Sequence, residues 1–410
     1  MIWSFLVLPN NEENKSSNFL KKKIVWVTFL VLDAQLHKTS QFEILGNLAK
    51  KGYITSLIAI RSKKKFENRK AQVSVTSIPL RNVPIITGFI YSMLIFFFLP
   101  LHIIFSNPDF VITQPTIPIA SFIPTLPISR IKKTKLVLDI RTITVQAGFR
   151  GFIHDFLFTT SILAAKKLFN GITIITSSMK AEICQKYGLD PDKVGVWSSG
   201  VSPSLFNPEV WVSHGLEIKA RLGLTKKFVV FYHGALSPNR GLLETVKAIQ
   251  LIRRIHPEVV LFLLGSGPLA SVLKDFIKKE ALQSNVIIHD AVDYENVPKY
   301  ISMSDVTIIP LPDMHYWRSQ SPLKLMEYLA MKKVVIISDI PAHRTIIGEE
   351  TCGIYLSSVK PIEIAKSIEY AMQNKYRLRE WGEIGRVIIQ NGYTWQKVAN
   401  DLSDYLLSIQ

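Results

Sequence analysis

A segment of twelve residues, 321–332 (SPLKLMEYLAMK), places a basic and an acidic side chain at the start of a predicted helix. Serine and proline favour a helix start, because a hydroxyl can cap free amides and proline lacks an N–H. Free amides at a helix start bind anions. Lys324 adds a cation in the first turn, and Glu327 follows one turn later, about 5 Å along the helix. The segment predicts a site for a nucleotide diphosphate and its ribose; an ordinary surface helix is the alternative.

Two glycine-containing turns supply further groups of this kind. In 232–241 (YHGALSPNRG), Arg240 stands at a predicted helix entrance, where its fork of donors can neutralise a phosphate. In 263–268 (LLGSGP), the small residues let a flat base approach the backbone. Each turn is common by itself. Together with 321–332, all at the ends of predicted strands, they favour a single ligand site.

The elements that must position these side chains follow a βαβ pattern, in which short apolar runs alternate with amphipathic segments. A helix is predicted over 38–51, ending before Gly52. The predicted strands of this first series are 24–32, 54–60, 73–78, 110–113, 136–139, 171–176 and 194–196.

A second series of the same kind starts at Phe228. A helix is predicted over 241–255, and the predicted strands are 228–232, 259–264, 286–288, 306–309 and 334–338. The sequence therefore predicts an α/β protein with two doubly wound, Rossmann-like domains. Loops at the carboxyl ends of the strands are where open sheets of this class bind ligands.

The length of 410 residues also favours two domains. We expect a disordered extension at 1–20, a first domain at 21–207, a second domain at 225–385 and a C-terminal helix at 386–410 that packs toward the first domain. The seam is expected within 207–224, where proline and glycine interrupt the alternation. Cys184 and Cys352 have no metal-ligand or redox spacing, which favours a reducing setting. No cleavable signal is expected, because the apolar patch near Met1 lacks a basic lead.

The positive charge of the chain is concentrated in its first 200 residues. They contain 25 Lys and Arg against 11 Asp and Glu, a net charge of +14 out of +17. Clusters at 21–23, 61–70 and 130–135 could face nucleic acid or anionic lipid. The basic runs lack the interleaved aromatic residues typical of RNA binding, so nucleic acid is not expected as a partner.

Residues 83–105 form a run of about 23 residues without a formal charge, long enough to span a bilayer. Pro84 and Pro100 shorten its helical core, and basic clusters on both sides blur the orientation signal. We favour a helix that lies in or docks on a membrane face. A true span and a buried core helix are the alternatives.

The second series resembles the donor half of glycosyltransferase family 4, whose members are retaining enzymes with the GT-B fold. The resemblance extends over about 23–407 and is strongest over 228–340. There the motifs follow the family's order: HGALSPNRGLLETVKAI, LFLLGSGP, VPKYISMSDVTIIP and SPLKLMEYLAMKKVVIISD. This resemblance implies two Rossmann-like domains facing a cleft.

The resemblance also assigns roles to single residues. Glu327 matches the second glutamate of the family's E-x7-E motif, which is expected to hold the ribose hydroxyls. Arg240 matches the basic residue that pairs with the diphosphate, and Lys324 belongs to the helix start beneath it. These three are the predicted catalytic residues. The predicted donor-binding residues are Gly234, Arg240, Gly265, Val292, Ser321, Leu323, Lys324 and Glu327.

Two departures from the family pattern affect the sugar end of the site. The first glutamate of E-x7-E would fall at Ser319, and Ala235 stands where many relatives have arginine. Charge stabilisation is then expected from Arg240, Lys324 and the helix dipole. The predicted contacts to sugar or acceptor are His315, Arg318, Ser319, Asp139 and Arg141.

The implied function is transfer of a sugar, with retained configuration, from a nucleotide-diphosphate donor to a lipid-linked or cell-surface glycan acceptor. The expected location is the cytoplasmic face of the plasma membrane, with an anionic membrane surface as partner and peripheral or monotopic binding. Neither a metal nor another cofactor is expected, because basic side chains and amides can stabilise the leaving diphosphate. The alternatives are a nucleotide-sugar 2-epimerase and a non-catalytic sugar-nucleotide-binding protein.

Overall fold

The computed structural model describes residues 21–32, 39–61, 72–80, 83, 86–143 and 148–409. They form two compact units. Unit 1 comprises the described residues up to Trp197 together with 399–409, and unit 2 comprises Ser198–Val398. The extension expected at 1–20 lies outside the described residues.

Unit 1 is built on a parallel sheet of seven strands in the order β3-β2-β1-β4-β5-β6-β7. The central strands are buried, so they need helices on both faces. The strands are β1 Lys23–Val31, β2 Ile54–Arg61, β3 Val73–Pro79, β4 Phe110–Thr113, β5 Lys135–Ile140, β6 Gly171–Ile174 and β7 Val194–Val196.

Local signals set the helices of unit 1. The last of them, for example, starts where the Thr176 side chain accepts a hydrogen bond from the Met179 amide, and it ends at Gly188, whose φ is 60°. The helices are α1 Thr39–Lys50, α2 Ile86–Ser106, α3 Thr125–Lys132, α4 Gly148–Leu168 and α5 Ser177–Tyr187.

Unit 2 contains a parallel sheet of six strands in the order β10-β9-β8-β11-β12-β13. The strands are β8 Phe228–His233, β9 Val259–Leu264, β10 Val286–His289, β11 Val306–Ile309, β12 Val335–Ser338 and β13 Gly353–Leu356. The remaining helices are α6 Pro208–Arg221, α7 Leu242–Ile252, α8 Ala270–Lys279, α9 Val297–Ser302, α10 His315–Arg318, α11 Leu323–Ala330, α12 Pro341–Ile347, α13 Pro361–Gln373, α14 Leu378–Gly392 and α15 Trp395–Ser408.

Both sheets confirm the predicted α/β fold class with two doubly wound domains. The short strand β13 was not predicted. The boundary between the units precedes the expected seam, because α6 buries Ile218 in the core of unit 2. The C-terminal segment contains two helices, α14 and α15, rather than one. In unit 1, the Tyr405 hydroxyl accepts from the Ile172 amide and donates to the Lys193 carbonyl.

Helix α2 has two different sides. Tyr91, Ile95, Leu99 and Ile103 are fully buried in the core of unit 1, whereas much of the opposite side is exposed. The expectation of a fully buried core helix is therefore wrong. Among the described residues, α2 is also the one helix long and apolar enough, by length and composition, to cross a membrane.

Candidate functional site

The predicted donor-binding groups of unit 2 lie mainly on loops at one edge of its sheet. β8 is flanked by β9 and β11, and all three strands are parallel, so their carboxyl ends meet at the same edge. The strand order reverses between β8 and β11, because the chain leaves β8 toward β9 and returns through β11. Such a switch point is where doubly wound sheets form a ligand crevice.

The two glycine turns at this edge are joined through their backbones. The Gly234 amide donates to the Leu264 carbonyl at 2.9 Å, and the Leu236 amide donates to the Ser266 carbonyl at 2.9 Å. A Cβ at Gly265 would collide with the carbonyl oxygen of Gly234. Glycine at 265 is thus required by the approach of the two loops, and its predicted contact with a base stays a prediction.

Helix α11 begins without a side-chain cap. Its N-cap residue is Pro322, and Leu323 is its first helical residue. The Ser321 hydroxyl, expected to cap this helix, instead accepts a hydrogen bond from the Ser199 amide at 3.1 Å, and the Ser199 hydroxyl donates to the Ser321 carbonyl. The first-turn amides therefore lack the side-chain cap that the sequence predicted. An anion site requires amides without such a cap, because the anion takes the place of the capping group.

Lys324 places a buried cation at this helix start. Its Nζ is inaccessible, has no hydrogen-bond partner and lies 3.9 Å from the centroid of the Tyr232 ring. The same atom lies about 3.1 Å from where a Cβ on Gly234 would stand, so glycine leaves room for the ammonium group. Burial lowers the pKa of Lys324 well below its ordinary value, with the Arg240 charge acting in the same direction and Glu327 opposing it.

Arg240 is the second cation of the site. Its Nε donates to the Ser237 hydroxyl at 2.9 Å, and its guanidinium lies 5.0 Å from the centroid of the Trp317 ring. The influence of its charge on Lys324 indicates that the two basic groups are neighbours. Two like charges held together favour a bound anion between them.

Glu327 is almost fully buried and is held by a histidine. Its Oε2 lies 2.8 Å from His233 Nε2, while His233 Nδ1 lies 3.0 Å from the Tyr328 hydroxyl. That hydroxyl also accepts from the backbone amide of His233 at 2.9 Å. Burial raises the pKa of Tyr328 well above its ordinary value, so its proton is retained. Tyr328 then donates to Nδ1, which leaves the proton of a neutral imidazole on Nε2 for Glu327.

The site therefore combines three kinds of binding group at one edge of the sheet. Lys324 and Arg240 provide positive charge, the start of α11 provides amides, and Glu327 provides a fixed carboxylate. An anionic group bound at the cations would place a neighbouring diol within reach of the carboxylate one turn away. Among the described residues, no group of three or more His, Cys, Asp or Glu side chains is placed to hold a metal ion.

The residues expected to contact the sugar are not equally available. Arg318 makes a bidentate ion pair with Asp313, at 2.6 and 2.7 Å, so its charge is already engaged. Ser319 is only 2% exposed, which removes it from the surface of the loop. His315 is exposed at the start of α10. His315 and Arg318 are therefore both accessible from solvent, whereas Ser319 is not.

Asp139 and Arg141 have structural contacts inside unit 1. Asp139 is fully buried, and its Oδ1 accepts from the Thr173 hydroxyl and the Trp197 indole. Burial raises the pKa of Asp139 to about 6, against the opposing influence of Arg141 and of these hydrogen bonds. Arg141 stacks 3.5 Å above the Trp197 ring and donates to its carbonyl. The expectation that Asp139 contacts donor or acceptor is therefore wrong, because its carboxylate is inaccessible.

Val292 is not among the residues that surround Lys324. It lines a cavity of about 330 Å³ together with residues of α6 and α9, including Arg221 and Lys299. The structure does not bring this cavity into contact with Lys324 or Glu327. The predicted contact of Val292 with a base stays a prediction.

Three residues of the site were not assigned from the sequence: His233, Tyr232 and Tyr328. His233 ends β8 and Tyr328 follows Glu327, so both lie beside groups that were assigned. The two tyrosines lie in apolar runs of the sequence, and such a context predicts a place in the hydrophobic core and not in a ligand site. For His233, the sequence did contain a signal, since a polar histidine at the end of a buried strand is typical of a ligand site.

Solved structures resemble this chain over nearly its whole length. Sucrose-phosphate synthase from Thermosynechococcus elongatus matches with a TM-score of 0.75 and 14% identity, over 95% of this chain and 99% of that one. Anabaena HepE in complex with UDP and glucose matches with a TM-score of 0.72 and 12% identity, over 94% and 100%. At such identities the likeness shows the fold alone, which is the GT-B arrangement of two Rossmann-like domains.

The sequence of unit 2 gives a more specific match. Residues 216–388 match the family described as "Glycosyl transferases group 1". An uncharacterised glycosyltransferase of Methanocaldococcus jannaschii is 22% identical over 239 residues, which cover 56% of this chain and 58% of that protein. The chain spans about half the length of the curated relatives it matches.

Proposed function

We propose that this protein is a glycosyltransferase. It transfers a sugar, with retained anomeric configuration, from a nucleotide-diphosphate donor to a lipid-linked or cell-surface glycan acceptor. The observation that carries the proposal is the buried Nζ of Lys324, which has no hydrogen-bond partner and lies at the uncapped start of α11. The group 1 match over 216–388 and the UDP bound by HepE support this assignment.

The buried ammonium of Lys324 is costly unless a ligand compensates it. A charged group taken out of water destabilises the fold when it is neither paired nor hydrogen-bonded. Here a second cation, Arg240, adds to the cost. A diphosphate would remove both penalties, because its oxygens accept from both side chains and from the amides of α11. Perturbed groups of this kind mark functional sites.

Glu327 suits the ribose of the same nucleotide. His233 holds one carboxylate oxygen, Oε2, whereas Oε1 has no hydrogen-bond partner in the described part of the chain. A carboxylate oxygen accepts well from the two hydroxyls of a vicinal diol. The position of Glu327, one turn beyond Lys324, corresponds to the step from the diphosphate to the ribose.

The chemical step follows from the charges. When the bond between the anomeric carbon and the donor oxygen breaks, negative charge grows on the leaving diphosphate. Lys324, Arg240 and the α11 amides stabilise that charge in a site with little water. We propose that the step needs no metal ion, since these groups supply the positive charge that a divalent cation would otherwise contribute.

Ser319 favours a second candidate function, a sugar-nucleotide-binding protein without turnover. Where the resemblance to family 4 predicts a carboxylate, the chain has a serine that is almost completely buried. No carboxylate from that position then reaches the sugar. Binding of the donor without release of its sugar would fit this alternative.

The first experiment is a thermal-shift screen of UDP-, GDP- and ADP-sugars with the full chain. A donor that stabilises the wild type should stabilise the Lys324→Met variant much less, while Lys274→Met, an exposed lysine of α8, serves as the matched control. Radiolabelled transfer to membrane glycolipid extracts follows with the best donor. Transfer lost in Glu327→Ala and kept in Ser319→Ala supports catalysis, whereas tight binding without turnover supports the binding protein.

The proposed location is the cytoplasmic face of the plasma membrane, with peripheral or monotopic binding. Support comes from the net charge of +14 in the first 200 residues, which suits an anionic surface. Fractionation of cells expressing the full chain tests this location. Recovery in the soluble fraction at low salt would contradict it.

A further inference from the structure

One side of helix α2 presents a continuous apolar surface to solvent. Five side chains at intervals of four residues are between 48 and 69% exposed, and we call them the apolar ridge: Phe89, Met93, Phe97, Leu101 and Phe105. No charged residue occurs between Ile86 and Ser106. A helix at the surface of a soluble domain normally carries polar residues on its outer side. The ridge is therefore an apolar surface without a partner.

The opposite side of α2 fixes the direction of the ridge. Tyr91, Ile95 and Leu99 are completely buried against the sheet of unit 1. The Tyr91 hydroxyl donates to the Thr28 carbonyl at 2.8 Å, beneath β1. Rotating the helix to hide the ridge would expose this core and break that bond. The helix as folded is thus a component of unit 1 that keeps the ridge outward.

Basic residues border one end of the ridge. α2 ends just before β4 and α3 ends just before β5, and these strands are parallel neighbours, so both helix ends lie at the amino-terminal edge of the sheet. Lys23, at the start of β1, donates its Nζ to the Ser106 carbonyl at the end of α2. The end of α3 adds what we call the basic rim: Arg130, Lys132 and Lys133.

The basic rim is available for an external anion. Arg130 and Lys133 are exposed, and none of the three rim residues forms a salt bridge within the described part of the chain. Ile131, between them, is 80% exposed, which continues the apolar surface into the rim. Helix α3 packs against α2, so the rim lies beside the helix that carries the ridge.

We propose that the apolar ridge and the basic rim together form a docking surface for an anionic lipid bilayer. The helix lies along the interface, with the ridge inserted among acyl chains and the rim on the phosphate groups. Apolar side chains alone would suit a second protein equally well. The unpaired cations beside them favour anionic headgroups. The docking surface rests on the membrane location proposed above and names the residues that would make it; because it belongs to unit 1 and the donor site to unit 2, the donor-site proposal fails or stands separately.

The experiment is flotation of the full chain with vesicles of phosphatidylcholine, with and without a minority of phosphatidylglycerol. The wild type is expected to bind the anionic vesicles at least about tenfold more tightly than neutral ones, less so at high salt. The ridge variant Phe89→Ser/Phe97→Ser/Phe105→Ser should lose binding to both. The rim variant Arg130→Gln/Lys132→Gln/Lys133→Gln should lose only the preference for anionic lipid.

A matched control removes exposed apolar residues from unit 2 with the triple variant Ile255→Ser/Val272→Ser/Val387→Ser. It should bind vesicles like the wild type. All variants should keep the circular dichroism spectrum of the wild type and a cooperative thermal transition, which report that they are folded. Equal vesicle binding by wild type and ridge variant would overturn the proposal. So would a wild-type dimer in light scattering that the ridge variant converts to monomer, because the ridge would then contact a second copy.

Discussion

Helices α2 and α8 pack on equivalent sheets but have opposite outer surfaces. In unit 2, α8 buries Leu273 and Ile277 and turns Lys274, Asp275 and Lys278 to solvent. In unit 1, α2 buries a comparable inner side but turns aromatic and aliphatic side chains outward. The doubly wound fold requires only the inner side of each helix. The outer side of α2 is therefore not required by the fold, and this is the surface for which we propose a membrane as partner.

Some basic residues of unit 2 are paired, whereas the basic rim of unit 1 is not. At the surface of unit 2, Lys219 pairs with Asp305 at 2.8 Å and Lys332 pairs with Glu209 at 2.8 Å. Within the described residues, neither the basic rim of unit 1 nor Lys324 makes such a pair. Lys274 of α8 is also unpaired, so the lack of a partner does not by itself mark an anion site; burial distinguishes Lys324, and the adjoining apolar ridge distinguishes the rim.

The largest effect is expected from Lys324→Met. Loss of one preorganised charge facing the leaving group should lower donor turnover by about 10²–10³-fold. The rate of nucleotide release from the best-binding donor measures it. Lys274→Met should react at the wild-type rate, and equal rates for the two variants would place the chemistry elsewhere.

A smaller effect is expected from the carboxylate. Glu327→Gln should weaken nucleotide binding by about tenfold to thirtyfold, because a charged hydrogen-bond acceptor for the ribose is lost. Titration with a nucleoside diphosphate and its 2′,3′-dideoxy analogue measures this contribution directly. The wild type should prefer the natural ribose, and the variant should bind the two alike. An undiminished preference in the variant would remove Glu327 from the ribose site.

His233 should act through Glu327, as a positioning residue. His233→Leu is expected to weaken nucleotide binding by about fivefold, since the carboxylate loses the hydrogen bond that orients it. His233→Gln should recover most of the loss, because its amide can donate to Oε2. The loss should appear in the dissociation constant and in ribose preference, with turnover of bound donor little changed. A fall in turnover alone would assign His233 another role.

The smallest effect concerns stability and pH. The folded-state pKa of Lys324 is lowered, so between that pKa and the ordinary lysine value the unfolded chain binds more protons, and stability rises with pH. Below the lowered folded-state pKa, the amine is charged in the fold and destabilises it when no ligand is bound. Lys324→Met should therefore be more stable than the wild type by about 1 kcal/mol, a difference that shrinks as pH rises toward 10. Chemical denaturation at several pH values tests this sign.

The strands and the order of the site loops could be predicted from the sequence, because apolar periodicity and glycine turns are local signals. The outlying strand β13 was missed, since its four residues, 353–356, are too short to give a pattern. The contacts of Ser321 with Ser199 and of Asp139 with Trp197 join residues far apart in the chain. Neither pair could be found from spacing. The hydrogen bond between His233 and Glu327 depends in the same way on the packing of β8 against α11.

The apolar run at 83–105 illustrates the same limit. Its composition predicted a membrane-associated helix, a span or a core helix without separating them. To distinguish these three alternatives, one must know which side of the helix contacts the sheet. The contacts of Tyr91 and the residues around it in the folded chain decide this. Sequence composition gives the amount of apolar surface, whereas the fold decides how much of it remains outside.

The central claim, that Lys324 is kept for an anionic nucleotide, is tested most directly by calorimetry of nucleoside diphosphate binding at about pH 9 in buffers of different ionisation enthalpy. Because the pKa of Lys324 is lowered, a larger share of this side chain is neutral there than of a lysine of ordinary pKa. A bound diphosphate should raise that pKa, so the wild type is predicted to take up protons on binding, and Lys324→Met is predicted to bind more weakly and without uptake. Binding of equal strength and equal proton uptake in both proteins would contradict the account.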